Sequence, residues 1–357
     1  MKYVIELNFR NGVHFGSDVA GYGVEDVQGI AHSDTIFSGL INTLASISHI
    51  FNQKQWIKNL LNKTINEDNI YVPFRVSSFG FVDTSQSSHR YFIPKPLILP
   101  ENLIDDKQKY EFGKEFKNRK FISIETFQKW QRNEPLDLKA ILDEDKSLFW
   151  VEESRTQNVT QSVSHAAQIY HTGIVFYLKD IKPFFLLDLD EEEFSFDDFK
   201  KLMDVLKYNG LGGRRTSGCG LFDFSDNDWF CIDIETAKEQ RRLNPSFSDQ
   251  KIPGRARFCE MFKIKSEFYY IFSLFFPDDV RKLKSIAYDL TQRKGWSFSS
   301  SSYEQLKRKT CYMFSEGSIF ASELRGNLVN VTPQEFNKHR IFRNGLPFAI
   351  PFCEKIK

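Results

Sequence analysis

Apolar and polar positions alternate from Lys2 to Phe9, the two-residue period of a half-buried strand, and then give way at Asn11-Gly12 to a loop marked by Gly16, Gly21, Gly23 and Gly29. From about Ser33 the period lengthens to that of a helix. Ser33 or Asp34 is the expected N-cap, and Phe37, Leu40, Ile41, Leu44 and Ile47 form one stripe. Further helical sequence covers Gln53 to Leu61, and strands are expected at Tyr71 to Val82 and Tyr91 to Ile93, the second closed by Pro94 and Pro96. Strand patterning returns at Ile174 to Leu178 and Phe184 to Leu187. A second helix starts at Ser195, with Asp197 and Asp198 in its first turn and Phe199, Leu202, Met203 and Leu206 on one face; Leu221 to Phe224 is a short strand.

Two segments break this order. Residues 101–153 are charged and weakly helical, at Phe121 to Trp130 and Leu136 to Leu142, and are expected to be an insertion. Residues 154–173 are polar and rich in β-branched, Gln and Ser residues, with little to bury, so a solvated hairpin projecting from the body is expected. Without them the order is βαββαβ, a ferredoxin-like arrangement whose open sheet face is a platform that RNA-binding modules use. The remainder, 251–357, repeats the theme: a strand at Glu267 to Phe276, a helix from Asp278 to Arg293, a hairpin of Lys309 to Phe314 with Ser318 to Phe320 about Glu316-Gly317, and a last strand at Phe348 to Phe352. The expected fold is therefore α+β: two ferredoxin-like (RRM-like) domains, 1–250 and 251–357, the first with a helical insertion and a protruding β-hairpin thumb.

The candidate chemistry lies between the Ser195 helix and its following strand. Residues 209–224 read NGLGGRRTSGCGLFDF, five glycines around two adjacent arginines. Such a loop can present backbone N–H groups and two guanidinium forks to phosphates. Nucleotide cradles run instead from strand through glycines into a helix N-terminus and carry Gly-Lys-Ser/Thr, so an extended phosphodiester backbone fits this loop better than a mononucleotide. Gly210 as a simple helix C-cap accounts for only one of the glycines.

The overall formal charge of the 357 residues is only +1, but the halves differ. Residues 205–357 carry 25 Lys and Arg against 17 Asp and Glu, leaving 23 against 30 for residues 1–204, so basic and acidic surfaces can coexist. The acidic stretches Asp188 to Glu193 and Asp143 to Glu153 are expected to be solvated faces. Of the 36 phenylalanines most fall in strands as core, and a minority are available for stacking on bases. Five scattered cysteines give neither a disulfide framework nor a zinc pattern, which fits a reducing cytoplasm. No signal-peptide pattern or membrane-length apolar stretch is present, and nothing suggests a metal, nucleotide or organic cofactor.

These residues carry a resemblance. His14-Phe15-Gly16, HSDTIFSGL (His32 to Leu40), GLGGRRTSGCGLF (Gly210 to Phe222), GSIF (Gly317 to Phe320) and HRIFRNGLPFAIPF (His339 to Phe352) resemble the RAMP superfamily of CRISPR proteins, and within it the fourth subunits of type III-A Csm effector complexes. The resemblance implies a structural, non-catalytic subunit that binds and caps the repeat-derived 5′ handle of the crRNA. It implies partners too: a large multidomain signalling subunit on one side and backbone RAMP subunits on the other. Carried over by position, the handle-binding residues are Gly210, Gly212, Gly213, Arg214, Arg215, Ser217, Gly218 and Gly220, with His14, Phe15, Gly16, Ser33 and Asp34 from the N-terminal motifs. The hairpin, with Arg155 and Gln157, corresponds to the thumb that presses on the guide strand, and Phe15 and His14 are candidate base stackers.

Two rival functions use the same residues. Some members of the superfamily are metal-independent ribonucleases that cut the CRISPR repeat, which needs an acid–base histidine. His14 or His32 would serve, assisted by Tyr22 or Arg215, whereas a target-cutting relative would need a loop aspartate, Asp18 or Asp26. A general single-stranded RNA-binding module would account for the loop and sheet but not for the second domain or the thumb.

Overall fold

The computed structural model describes residues 1–17, 25–51, 54–61, 70–86, 89–145, 148–160, 167–232, 254–297 and 306–353. Asp18, Gly21, Tyr22, Gly23 and Gln53 lie outside them. Seven α-helices and several antiparallel sheets make a mixed α/β fold among the described residues.

Strand β1 (Lys2–Glu6) lies in the first sheet between its central strand β9 (Ile181–Leu189) and the edge strand β11 (Trp229–Cys231). Beyond β9 lie β4 (Gly80–Asp83), β5 (Arg90–Pro94) and β6 (Phe121–Ser123), while β3 (Phe74–Val76) pairs with the other end of β9. The apolar run Phe184–Leu187 in β9 explains its place, since a strand apolar at every position needs cover on both faces.

One face carries Tyr3, Ile5, Phe185 and Leu187. It is covered by helix α1 (Ser33–Ile47), with α2 (Gln55–Leu61) beside it, and by α6 (Phe196–Asn209) through the apolar stripes read from the sequence. Ser195 caps α6, its Oγ accepting from the Asp198 N–H at 3.2 Å. The other face carries Val4, Val82, Phe184 and Leu186, and is covered by Tyr270, Phe272, Ile319 and Ile350 of the C-terminal part with helices from the insertion. The open sheet face expected as an RNA platform is thus core.

The insertion holds α3 (Asp106–Asn118), α4 (Ile124–Gln131) and α5 (Leu138–Glu144), and β6 within it extends the main sheet. Helix α3 was not legible in the pattern because it buries only Phe116. The hairpin is longer than expected. β7 (Trp150–Thr160) and β8 (Ala167–Tyr177) pair from Trp150–Tyr177 to Thr160–Ala167, with 151–156 exposed and the root joined to the body by a Val13–Val175 bridge.

The C-terminal part departs from the expectation. After α7 (Arg255–Met261), β12 (Tyr269–Ile271) lies between β16 (Ile319–Phe320) and β19 (Ala349–Pro351), and β13 (Ser285–Ala287) pairs with β16. β14 (Leu290–Arg293) pairs with β15 (Cys311–Phe314), and β17 (Leu328–Asn330) with β18 (Phe342–Asn344). The expected helix over Asp278–Arg293 does not form. Asp279 caps a single 3₁₀ turn, Val280–Lys282, and Ile286 and Leu290 stand exposed on strands instead of filling a helix stripe. Nor do Lys309–Phe314 and Ser318–Phe320 pair with each other, since each joins a different strand. No described helix is long and apolar enough to cross a membrane.

Candidate nucleic-acid interface

The glycine loop leaves α6 at Gly210 (φ 76°), whose N–H donates to the Leu206 carbonyl at 2.8 Å, so the C-cap reading of that residue also holds. The chain then folds flat against residues 12–15. The Gly213 N–H donates to the His14 carbonyl (2.8 Å), the Gly220 N–H to the Gly12 carbonyl (3.1 Å) and the Leu211 N–H to the Gly220 carbonyl (2.9 Å). Those of Ser217, Gly218 and Cys219 donate to the carbonyls of Arg214 and Arg215. Most loop amides are therefore engaged inside the protein, and the glycines serve close packing more than amide display. At Gly212 (φ 90°) a Cβ would stand 2.7 Å from the His14 carbonyl oxygen and 2.8 Å from the Phe15 ring; at Gly220 it would stand 2.0 Å from the Leu211 oxygen.

What the loop does present is its arginines. Arg214 takes a left-handed conformation (φ 53°) that turns its guanidinium to the hairpin, 3.2 Å from the Tyr170 hydroxyl and 5.7 Å from that ring's centroid. Arg215 is half-buried, its Nη1 3.5 Å from the Asn209 carbonyl, and burial lowers its pKa. Ser217 is exposed, and Gly218 (φ 83°) has open space around it. Across the junction, Arg155 lies 5.1 Å over the Phe176 ring and bonds Glu153 at 3.3 Å, while Gln157 pairs in register with Tyr170. Buried Cys219 lies in the loop; burial raises its thiol pKa, and the charges of Arg214 and Arg155 oppose that rise. Loop and hairpin root thus make one basic junction. Tyr170, not singled out in the sequence, is its centre; its signal was the register opposite Gln157.

The N-terminal motifs have other roles. Phe15 is 3% exposed and packs edge-on to Phe9 and Phe79 at 6.5 and 5.9 Å, so it is core and not a base stacker. Buried His14 donates from Nδ1 to the Gly173 carbonyl at 2.8 Å, joining the loop to the hairpin; burial lowers its pKa, with Arg214 pushing the same way. Gly16 has nothing within 4 Å of its would-be Cβ.

Ser33 and Asp34 lie in the interior, away from solvent. Ser33 Oγ accepts from the Leu274 N–H at 3.0 Å, which leaves His32 as the N-cap of α1. The Asp34 carboxylate accepts from Arg293 Nε and Nη2 at 3.0 and 2.9 Å and from Arg343. Beside it His32 Nδ1 bonds Glu316 at 2.7 Å, and Ser78 donates to the same carboxylate. This cluster clamps the start of α1 to the C-terminal part. Both candidate acid–base histidines are therefore engaged structurally. Asp26, the described aspartate of the other rival reading, accepts through its backbone carbonyl from the Ser17 N–H. No group of three or more His, Cys, Asp or Glu able to hold a metal occurs among the described residues.

An antiparallel sheet with a protruding ribbon, its root set against a glycine-arginine loop, defines a mixed α/β protein built around a basic junction. Residues 264–352 match the family model described as the CRISPR Csm4 C-terminal domain. Over 348 residues the chain is 24% identical to the CRISPR system Cms protein Csm4 of Streptococcus thermophilus, covering 94% of each. Its fold is similar to a chain of the Csm1–Csm4 cassette solved with cA4 (TM-score 0.56, 14% identity, 100% of both chains). It is similar as well to a chain of the Csm3–Csm4 subcomplex of the type III-A interference complex (TM-score 0.52, 16% identity, 99% of both). The chain is thus similar to Csm4 proteins, over residues 264–352 by the family model and along nearly its whole length to the Streptococcus thermophilus relative, in line with the resemblance that the sequence motifs carry.

Proposed function

We propose that this chain is the non-catalytic crRNA-binding subunit of a Csm complex. It caps the repeat-derived 5′ handle and bridges a large signalling subunit to the backbone RAMP subunits. The observation that carries the reading is Arg214 of the glycine loop set on Tyr170 of the hairpin, with Arg215 next to it in the loop and Arg155 on the hairpin's other strand. Arg214, Arg215, Ser217 and Gly218 contact handle phosphates; Gly210, Gly212, Gly213 and Gly220 shape the loop that holds them. Arg155 and Gln157 act from the thumb. The relatives solved with Csm1 and with Csm3 support the two-sided docking. The sheet order β11-β1-β9-β3, with α1 and α6 as the crossovers, supports a ferredoxin-like first domain within 1–250, with 251–357 as the second domain. A cytoplasmic ribonucleoprotein follows from the same reading.

The test is binding of a 5′-handle RNA as a function of salt. Arg214→Ala with Arg215→Ala should weaken binding and flatten the log–log salt slope by roughly 1.4, at about 0.7 per phosphate contact on a single strand. An unchanged slope would count against the loop as the phosphate contact. Failure of tagged protein to bring down both a guide RNA and a large partner subunit would count against the complex role.

A further inference from the structure

The C-terminal part holds a second ribbon that the handle-binding reading does not use. β14 and β15 pair from Leu290–Phe314 to Arg293–Cys311, and the pairing continues outward through a Trp296–Lys307 bridge and the Arg308 N–H donating to the Gly295 carbonyl at 2.9 Å. Residues 290–297 and 306–314 include five basic side chains and no acid; the nearest acid in sequence, Asp289, stands at the root. Arg293 anchors the ribbon through Asp34, and Arg308 Nε donates to the Trp296 carbonyl at 2.9 Å. Lys294, Lys307 and Lys309 are exposed and take no ion-pair partner among the described residues. Trp296 and Tyr312 are 54% and 58% exposed, and the Lys307 ammonium lies 5.4 Å from the Trp296 ring centroid.

Large aromatic rings left in water beside unpaired ammonium groups are costly surface for a protein with no use for them. They are also the composition of a groove for single-stranded nucleic acid, in which bases stack on rings while cations follow the phosphates. A protein partner of complementary shape would favour aromatics with depleted lysine, and lysine is what this ribbon displays.

We propose that the ribbon formed by residues 290–297 and 306–314 is a second contact for single-stranded RNA, independent of base sequence, with Trp296 and Tyr312 as stacking rings and Lys294, Lys307 and Lys309 as phosphate contacts. It is separate from the glycine-loop junction and does not depend on the handle reading.

The test uses the full chain and a fluorescein-labelled oligouridylate with no repeat sequence, followed by anisotropy across a salt series. Replacing the three lysines by alanine lowers the salt slope by about 2, at 0.7 per contact. Trp296→Ala and Tyr312→Ala each weaken binding roughly 5- to 150-fold, the range that stacking of one base supports. Lys294→Arg with Lys307→Arg and Lys309→Arg keeps the charge and restores the slope. Circular dichroism melting verifies that each variant is folded. In the Arg214→Ala, Arg215→Ala background the ribbon effect persists, which separates this proposal from the handle reading. Unchanged affinity and slope in folded lysine and aromatic variants overturns it. So does loss of a co-purifying protein subunit with oligouridylate binding intact, which would make the ribbon a protein-docking surface.

Discussion

Asp34 offers the sharpest test of how the two parts of the molecule are joined. Its side chain is 1% exposed and lies between the guanidiniums of Arg293 and Arg343, themselves 9% and 3% exposed. Asp34→Ala removes the carboxylate that both guanidiniums share and leaves two buried cations facing each other. Breaking a buried pair in this way costs about 3–5 kcal/mol, against about 0–1 kcal/mol for an exposed pair. The internal control is Glu323→Ala, which breaks the Arg325–Glu323 pair, whose side chains are 71% and 76% exposed. Guanidinium unfolding followed by tryptophan fluorescence reads both, with midpoints compared at a common slope. The Asp34 variant should unfold at distinctly lower denaturant, and the Glu323 variant should overlay the parent. Asp34→Asn, which keeps the volume but not the charge, should fall on the side of the alanine variant. A loss below about 1 kcal/mol in Asp34→Ala would mean that the arginines are hydrated in solution and that Asp34 does not clamp α1 to the C-terminal part.

Three further outcomes follow from the same structure. Gly212→Ala forces a Cβ into a left-handed position 2.7 Å from the His14 carbonyl, so a stability loss above about 1 kcal/mol and weaker handle binding are expected; a silent variant would show that the loop is not packed on residues 12–15. In the buried His32–Glu316 pair, burial opposes both charges, yet the pairing prevails, raising His32 above 6.5 and lowering Glu316 from 4.5 to about 2. The His32 contribution is full below 6.5 and is lost as pH rises through the raised folded value, while that of Glu316 is present above 4.5 and lost on acidification. The stability gap between the parent and His32→Gln should accordingly be widest between pH 4.5 and 6.5 and shrink above neutrality; a gap constant up to pH 9 would mean the imidazole is uncharged. Ser195→Ala removes the cap of α6 and should cost about 1 kcal/mol in thermal or denaturant melts, with no loss indicating that the capping bond is absent in solution.

Local patterns were legible where local physics decides. The stripes of α1 and α6, the Ser195 cap and the polar hairpin all follow from spacing and side-chain chemistry. What the spacing concealed were partners distant in sequence. Asp34 at a helix start looked available for a ligand because Arg293, 259 positions later, could not be seen to claim it. Val280, Leu283, Ile286 and Leu290 fit a helical stripe by number alone, yet Ile286 and Leu290 face water on strands whose places are set by β15 and β16. Phe15 beside a glycine looked like a stacker until the Phe9 and Phe79 rings enclosed it. The arginines of the loop were legible as cations, but the tyrosine that orients Arg214 comes from the hairpin and is fixed only by strand register.

The sheet buried on both faces also governs how the chain is made. Val4, Phe184 and Leu186 belong to the same core as Ile350. At 5–20 residues per second, a ribosome that has finished β9 needs roughly ten to thirty seconds more to deliver β19. Throughout that interval a nascent chain with α1 and α6 already in place carries an apolar sheet face that the insertion helices cover only in part, still lacking Tyr270, Phe272, Ile319 and Ile350. A division of the sequence near residue 250, as expected from its patterning, would therefore cut through one folding unit. An N-terminal fragment released at that point is a candidate for chaperone capture or aggregation, not a working half of the protein.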